Sequence, residues 1–133
     1  MANKGSVKVK PLRMLPMSED VIQKSVVQHL TLRGSPAIYW FHVPNGGSRH
    51  IAEAVKLKAM GTRAGVADLV LIIGGRAHFL ELKTRKGKQS NAQKIAAKQV
   101  EMSGATYALA HSIDEALDTL QTWGAFSVGK PPR

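Results

Sequence analysis

Asp68, Glu81 and Lys83 are the residues of this chain whose types and spacing could do chemistry together. They lie in Gly65-Val66-Ala67-Asp68-Leu69-Val70-Leu71-Ile72-Ile73-Gly74-Gly75-Arg76-Ala77-His78-Phe79-Leu80-Glu81-Leu82-Lys83. Two apolar runs flank Gly74-Gly75, the signal of a hairpin with a two-residue loop. If the glycines form that loop, Ile73 pairs with Arg76, and stepping away along both strands brings Asp68 opposite Glu81. Such a pair shares one face with Cβ atoms roughly 5 Å apart, and Lys83, two residues on, projects from the same face. Two carboxylates at that distance repel by roughly 3 kcal/mol at an effective dielectric of about 20. A hard divalent cation removes the conflict, because such ions bind one or two carboxylates together with substrate phosphates and water. An adjacent ammonium suits a phosphate or an attacking water. The spacing points to metal-assisted hydrolysis of a phosphodiester. The bland alternatives are a solvated edge strand on which Glu81 pairs with Lys83, or a register one residue away.

The elements that must position these residues follow from local pattern. Ser18 is a good N-cap, Glu19 and Asp20 suit the positive end of a helix dipole, and Ile22, Val26, Val27 and Leu30 recur at helical spacing. A helix is predicted over 19–33, with Gly34 as its stop. Residues 38–43 are aromatic and β-branched and read as a strand; 44–48 read as a loop. A second helix is predicted over 50–60, ended by Gly61. After the hairpin of 66–83 comes a basic turn, Thr84-Arg85-Lys86-Gly87-Lys88. Ser90 and Gln93 fit a capping box that opens a helix over 91–103. Residues 105–110 read as a strand, and Ser112 with Glu115 fits a second capping box for a last helix to about residue 122. The order is α-β-α-β-β-α-β-α. The stretch from strand 77–83 through helix 91–103 to strand 105–110 has the length of a βαβ crossover, which makes those strands parallel, whereas the hairpin is antiparallel. The expected fold class is α/β, a mixed sheet with helices on both faces.

At 133 residues the chain has room for one domain. It divides into a flexible basic arm at 1–17, a folded unit at 18–126 and a loose Gly/Pro-rich tail at 127–133. A hydrophobic content of 44% supports an ordinary core. The net charge of +10 favours a polyanion, most simply nucleic acid. A basic membrane-surface protein would need a strongly amphipathic Lys/Arg helix, and none is found; a merely soluble basic protein is the remaining reading. The absence of cysteine excludes disulfides and thiolate zinc sites and is compatible with a reducing cytoplasm, where the protein is expected to reside. No signal peptide and no run of the roughly 18 apolar residues needed to span a membrane is found. His29, His42, His50, His78 and His111 are scattered, without ligand spacing.

An acid followed a hairpin's length later by Glu-x-Lys resembles the PD-(D/E)xK nuclease superfamily. The wider ordered set is more specific. It comprises Asn45-Gly46-Gly47, then Ala59-Met60-Gly61-Thr62-Arg63-Ala64-Gly65-Val66-Ala67-Asp68, then Leu80-Glu81-Leu82-Lys83-Thr84, then Ser90 and Gln93. This set resembles the VRR-NUC branch over about residues 18 to 115. The resemblance implies a restriction-endonuclease-like core and an endonuclease that needs Mg²⁺ or Mn²⁺ and acts on DNA. It implies branched or Holliday-junction DNA as a substrate and a homodimer, since two strands must be cut symmetrically. It also implies that Asp68 and Glu81 bind the metal, with the Leu82 backbone carbonyl as a further ligand and Glu19 as the helix glutamate that completes the site. Lys83 would orient or activate the water, and Gln93 matches a glutamine on the helix after the Glu-x-Lys strand. One departure is Ala67, where proline usually precedes the aspartate; its effect is expected on strand-entry geometry rather than on chemistry.

Several of these residues have an ordinary structural reading as well. Glu19 suits a helix dipole, and Gln93 a capping box, a role compatible with one in the site. Asn45 either shapes its turn or faces the substrate, and Arg63 either contacts phosphate or is a solvated arginine. For Arg85, Lys86 and Lys88, phosphate contact is favoured over a solvated turn. His42 reads as a strand-end histidine with a structural hydrogen bond rather than a ligand, and Trp40, Trp123 and Tyr107 read as core. Gly87-Lys88 lacks the rest of a phosphate-binding NTPase loop. A rival from another class is a non-catalytic nucleic-acid-binding module, which would not need the Asp68, Glu81 and Lys83 constellation. A second rival is a nuclease for RNA or for a specific duplex sequence.

Overall fold

The computed structural model describes residues 17–44 and 50–127. The basic arm up to residue 16, the loop at 45–49 with Asn45, and residues 128–133 lie outside the described residues. The chain forms α1 (Glu19–Arg33), β1 (Tyr39–His42), α2 (Ile51–Ala59), β2 (Leu69–Ile73), β3 (Arg76–Leu82), α3 (Asn91–Met102), β4 (Thr106–Ala110) and α4 (Ile113–Trp123). The order is the one expected.

The four strands make one sheet in the order β1-β2-β3-β4. β2 and β3 are antiparallel with Ile73 opposite Arg76, so the glycine pair is the hairpin loop. Gly74 and Gly75 have φ of 60° and 76°, the left-handed conformation that both central residues of such a loop require. β4 runs parallel to β3 with Glu81 beside Leu109, as the crossover length requires. β1 adds to β2 antiparallel, with His42 opposite Leu69.

Strand alternation then divides the side chains between two faces. Leu69, Leu71, Leu80 and Leu82 form one face and pack with Ile22, Val26 and Leu30 of α1 and with Ala116 and Leu120 of α4. Each fully buried Leu or Ile contributes roughly 1.5–3 kcal/mol of transfer free energy, so this layer anchors the strands. Phe79 and Tyr107 belong to the opposite face, where they line a cavity of ≈ 420 Å³ together with Ala96 and Val100 of α3. Helices therefore cover both faces, and β3 is an interior strand. The alternative of a solvated edge strand is thereby overturned.

The fold departs from local expectation at a few points. Met17, assigned to the arm, packs against the core. Ser127, assigned to the tail, donates its N–H to the Arg33 carbonyl at 3.0 Å. The second capping box does not form. Ser112 Oγ accepts from the Glu115 N–H at 3.0 Å, but the Glu115 carboxylate takes the His111 N–H at 2.9 Å, one residue before the cap. Trp40 and Trp123 pack against the core as expected, Trp123 with its ring 4.9 Å from that of His78.

Candidate active site

The hairpin register carries past the end of β2 and brings Asp68 to Glu81. Asp68 lies one residue before Leu69, so its neighbour across the hairpin is met by a side chain rather than by a ladder bond. Its Oδ2 accepts the Leu82 N–H at 2.7 Å. Glu81 follows from β3 and is 1% exposed; Lys83, just past the strand, is 8% exposed. Lys83 Nζ stands 3.9 Å from Glu81 Oε2, a loose pair rather than a closed salt bridge. Neither group is solvated, so the pair is not the surface ion pair that the bland reading requires.

Gln93 does both things its position allowed. Its Oε1 accepts the Ser90 N–H at 2.8 Å, which completes the capping box of α3. Its Nε2 donates to Glu81 Oε2 at 3.0 Å. Helix capping thus aims an amide at the buried carboxylate. The approach of α3 depends on Gly65, whose φ is 78° and whose missing side chain leaves room for the Ala92 carbonyl. A β-carbon there would overlap that carbonyl.

Glu81 is electrostatically frustrated. Its Oε1 is buried without a hydrogen-bond partner. Burial, then the Asp68 charge, push its pKa from the ordinary 4.5 up to about 8, against the opposing effect of Lys83. The charge of Glu19 adds to the rise. An isolated carboxyl in such a place keeps its proton unless a positive charge arrives.

The remaining residues singled out in the sequence lie around this centre. Glu19 is exposed in the first turn of α1, near enough to act on Glu81 through its charge. Among the described residues no group of three or more His, Asp or Glu side chains is gathered for a metal ion, so Glu19 is not drawn into one cluster with Asp68 and Glu81. Arg63 reaches across to α3 and donates to Gln99 Oε1 at 2.6 Å. Arg85, Lys86 and Lys88 are exposed on the turn that follows Lys83. That turn is held by the His111 ring, whose Nε2 donates to the Gly87 carbonyl at 3.1 Å.

Two neighbours of the site escaped the local reading. Tyr107, read as core, is half-buried on the face of Glu81, and burial followed by the Glu81 charge push its phenol to about 12. Its oxygen accepts from Gln89 Nε2 at 2.8 Å. Alternation in a strand parallel to β3 could have placed it there. His42 has the structural hydrogen bond expected of it, and the partner is the Asp68 carbonyl, at 2.8 Å. No local pattern announces that partner, because the two residues meet only through the pairing of β1 with β2.

No family model matches the chain, and a search of curated proteins finds no match. Among solved structures, one described as "VRR_NUC domain protein" superposes with a TM-score of 0.68 over 82% of this chain and 89% of that one, at 23% identity. The fold is that of VRR_NUC domain proteins. A second, described as "VRR_NUC domain", gives a TM-score of 0.54 over 80% of this chain and 97% of that one, at 18% identity. The α/β architecture, with a mixed sheet between helices, is the restriction-endonuclease-like core expected.

Proposed function

We propose that this chain is a VRR-NUC nuclease that hydrolyses DNA phosphodiester bonds with a divalent cation, Mg²⁺ or Mn²⁺. The observation that carries the proposal is the buried Glu81 carboxylate, whose Oε1 has no hydrogen-bond partner, under the charge of Asp68 and with the Lys83 ammonium near its other oxygen. The donor set is all oxygen, as a hard cation requires. Asp68 and Glu81 would hold the ion, with the Leu82 carbonyl as a further donor, and Glu19 would join from α1 only on being drawn in by the bound ion. When bound, it supplies Lewis acidity that polarises a phosphoryl oxygen and makes water a nucleophile near neutral pH.

The protein's own groups do the rest. Gln93 fixes one oxygen of Glu81, and the Leu82 N–H fixes one oxygen of Asp68, so the other oxygen of each is left for a ligand. Lys83 would orient water and meet the negative charge that develops on phosphorus-bound oxygen. Arg85, Lys86 and Lys88 would take flanking phosphates, and Asn45 and Arg63 would face the substrate. A groove of ≈ 930 Å³ between α2 and α3, with Lys58 and Arg63 on its walls, reaches Gly65 and Ala92 beside the site. No acidic side chain is among the described residues lining it, as suits a polyanion. Branched or Holliday-junction DNA, cut symmetrically by a homodimer, is the finer form of the proposal.

Cleavage of plasmid and four-way-junction DNA with and without Mg²⁺ or Mn²⁺ tests it. We expect metal-dependent cutting by the wild type, and loss of about 10²-fold or more in Asp68→Ala and Lys83→Ala with DNA binding retained. A wild type that binds but never cuts, with either metal and on any DNA form, leaves the non-catalytic binding module as the function.

A further inference from the structure

We infer that His42 is a positioning residue for the candidate metal centre, acting through the backbone of Asp68; this inference rests on the metal-dependent reading above. β1 ends at His42 and β2 begins at Leu69, so the ladder stops one residue short of Asp68. A carboxylate beyond the last ladder pair swings with its own peptide unless something else holds that peptide. The Asp68 carbonyl takes two donors from the end of β1, the Val43 N–H at 2.9 Å and His42 Nδ1 at 2.8 Å. A carbonyl oxygen only accepts, so Nδ1 carries a proton in this arrangement. At the other end of the residue, Oδ2 accepts the Leu82 N–H at 2.7 Å. Asp68 is therefore clamped between β1 and β3, through its carbonyl on one side and its carboxylate on the other.

The two bonds from β1 differ in what they demand of the sequence. The Val43 bond is a backbone bond that any residue but proline supplies. The His42 bond needs this side chain. Its ring is exposed, so it is not retained for the apolar core. Its removal should alter the aim of Asp68 more than the stability of the fold. Hydrogen bonds behind the ligands of a metal fix their orientation, and losing one typically costs about 10- to 100-fold in metal affinity or activity.

Mg²⁺ or Mn²⁺ titrated into the metal-free protein, read as thermal shift, separates these roles. The panel is wild type, His42→Ala, His42→Phe and His42→Asn; asparagine keeps an N–H near the Nδ1 position, and phenylalanine keeps a ring without the donor. We expect the half-saturating metal concentration to rise about tenfold or more in His42→Ala and His42→Phe and to stay near the wild-type value in His42→Asn. Metal-free Tm values should stay close across the panel, and cleavage at limiting metal should follow the same order. Half-saturation unchanged in His42→Ala, or raised equally in His42→Asn, overturns the inference. So does a metal-free Tm that falls in all three variants while half-saturation stays put, which makes His42 a residue of the fold alone. A wild type with no metal-induced shift overturns both this inference and the metal reading beneath it.

Discussion

Glu81 concentrates the electrostatic conflict of this protein in a single side chain. An interior strand carries it into a nearly closed space, a second carboxylate faces it, and a lysine nearby compensates only in part. Its proton affinity converts this into a measurable dependence of stability on pH. The unfolded chain ionises Glu81 near 4.5, whereas the folded chain keeps the proton to about 8. Between those values the folded state binds more protons than the unfolded state, so stability falls as pH rises through the window. Metal-free protein should lose Tm between about pH 5 and about pH 8. Glu81→Gln, which cannot ionise, should flatten the slope and melt above the wild type at the alkaline end. A cation should reverse the loss, giving a larger Tm gain at about pH 8 than at about pH 5. An equally steep fall in Glu81→Gln would assign the dependence to other groups.

At the scale of elements, the site is a junction between the hairpin and the start of α3. The Ser90–Gln93 capping box sets the first turn of the helix, and the same Gln93 amide reaches Glu81. Gly65 lets the loop that carries Asp68 lie against that turn. Gly65 and Gly74 both have positive φ, 78° and 60°, but only Gly65 meets neighbouring backbone. The two glycines therefore make a controlled comparison. Gly74→Ala should lose only the conformational term, about 1–2 kcal/mol, and keep its activity. Gly65→Ala adds an overlap with the Ala92 carbonyl and should lose about 3 kcal/mol or more, with cleavage reduced further than the stability loss explains. Chemical denaturation and cleavage rates of both variants check this. Equal losses of stability in the two would mean that the loop moves away from α3 at little cost.

For the whole molecule, the net charge of +10 favours a polyanion, and the proposed function makes that polyanion DNA. Among the described residues no helix is long and apolar enough to cross a membrane. Arg85, Lys86 and Lys88 extend the cationic surface from the buried Lys83 outward on an exposed turn. Each phosphate contact releases counterions and steepens the fall of binding with salt, by about 0.9 in the logarithmic slope for duplex DNA. Replacing all three by alanine should weaken binding on every duplex sequence alike and reduce that slope by about 2–3. Cleavage by the variant should recover at low salt, since Asp68, Glu81 and Lys83 are untouched. An unchanged slope in salt-titrated binding would remove this turn from the nucleic-acid surface.

Much of this protein could be read along the chain, because the deciding forces act over a few residues. Gly74-Gly75 can take the two left-handed conformations of a tight loop, and that alone sets the register that brings Asp68 to Glu81. Ser18 and Ser90 cap their helices by bonds three residues long, and spacing announced the capping role of Gln93, while its place beside Glu81 was implied by the family resemblance alone. The Glu115 carboxylate, by contrast, had two N–H groups within reach, and spacing could not tell which it would take. Other features depend on what lies across the sheet or above it. Burial of Glu81 and Lys83 follows from β4 pairing beyond β3 and from α3 closing that face, so a pattern consistent with a solvated strand became a desolvated, proton-holding site. The His42 bond to Asp68, spanning 26 residues, exists only because β1 pairs with β2. Local spacing governs which side chains share a face, but solvent exclusion and long-range hydrogen bonds arise only when separate elements pack, and these set the charge state and aim of the site.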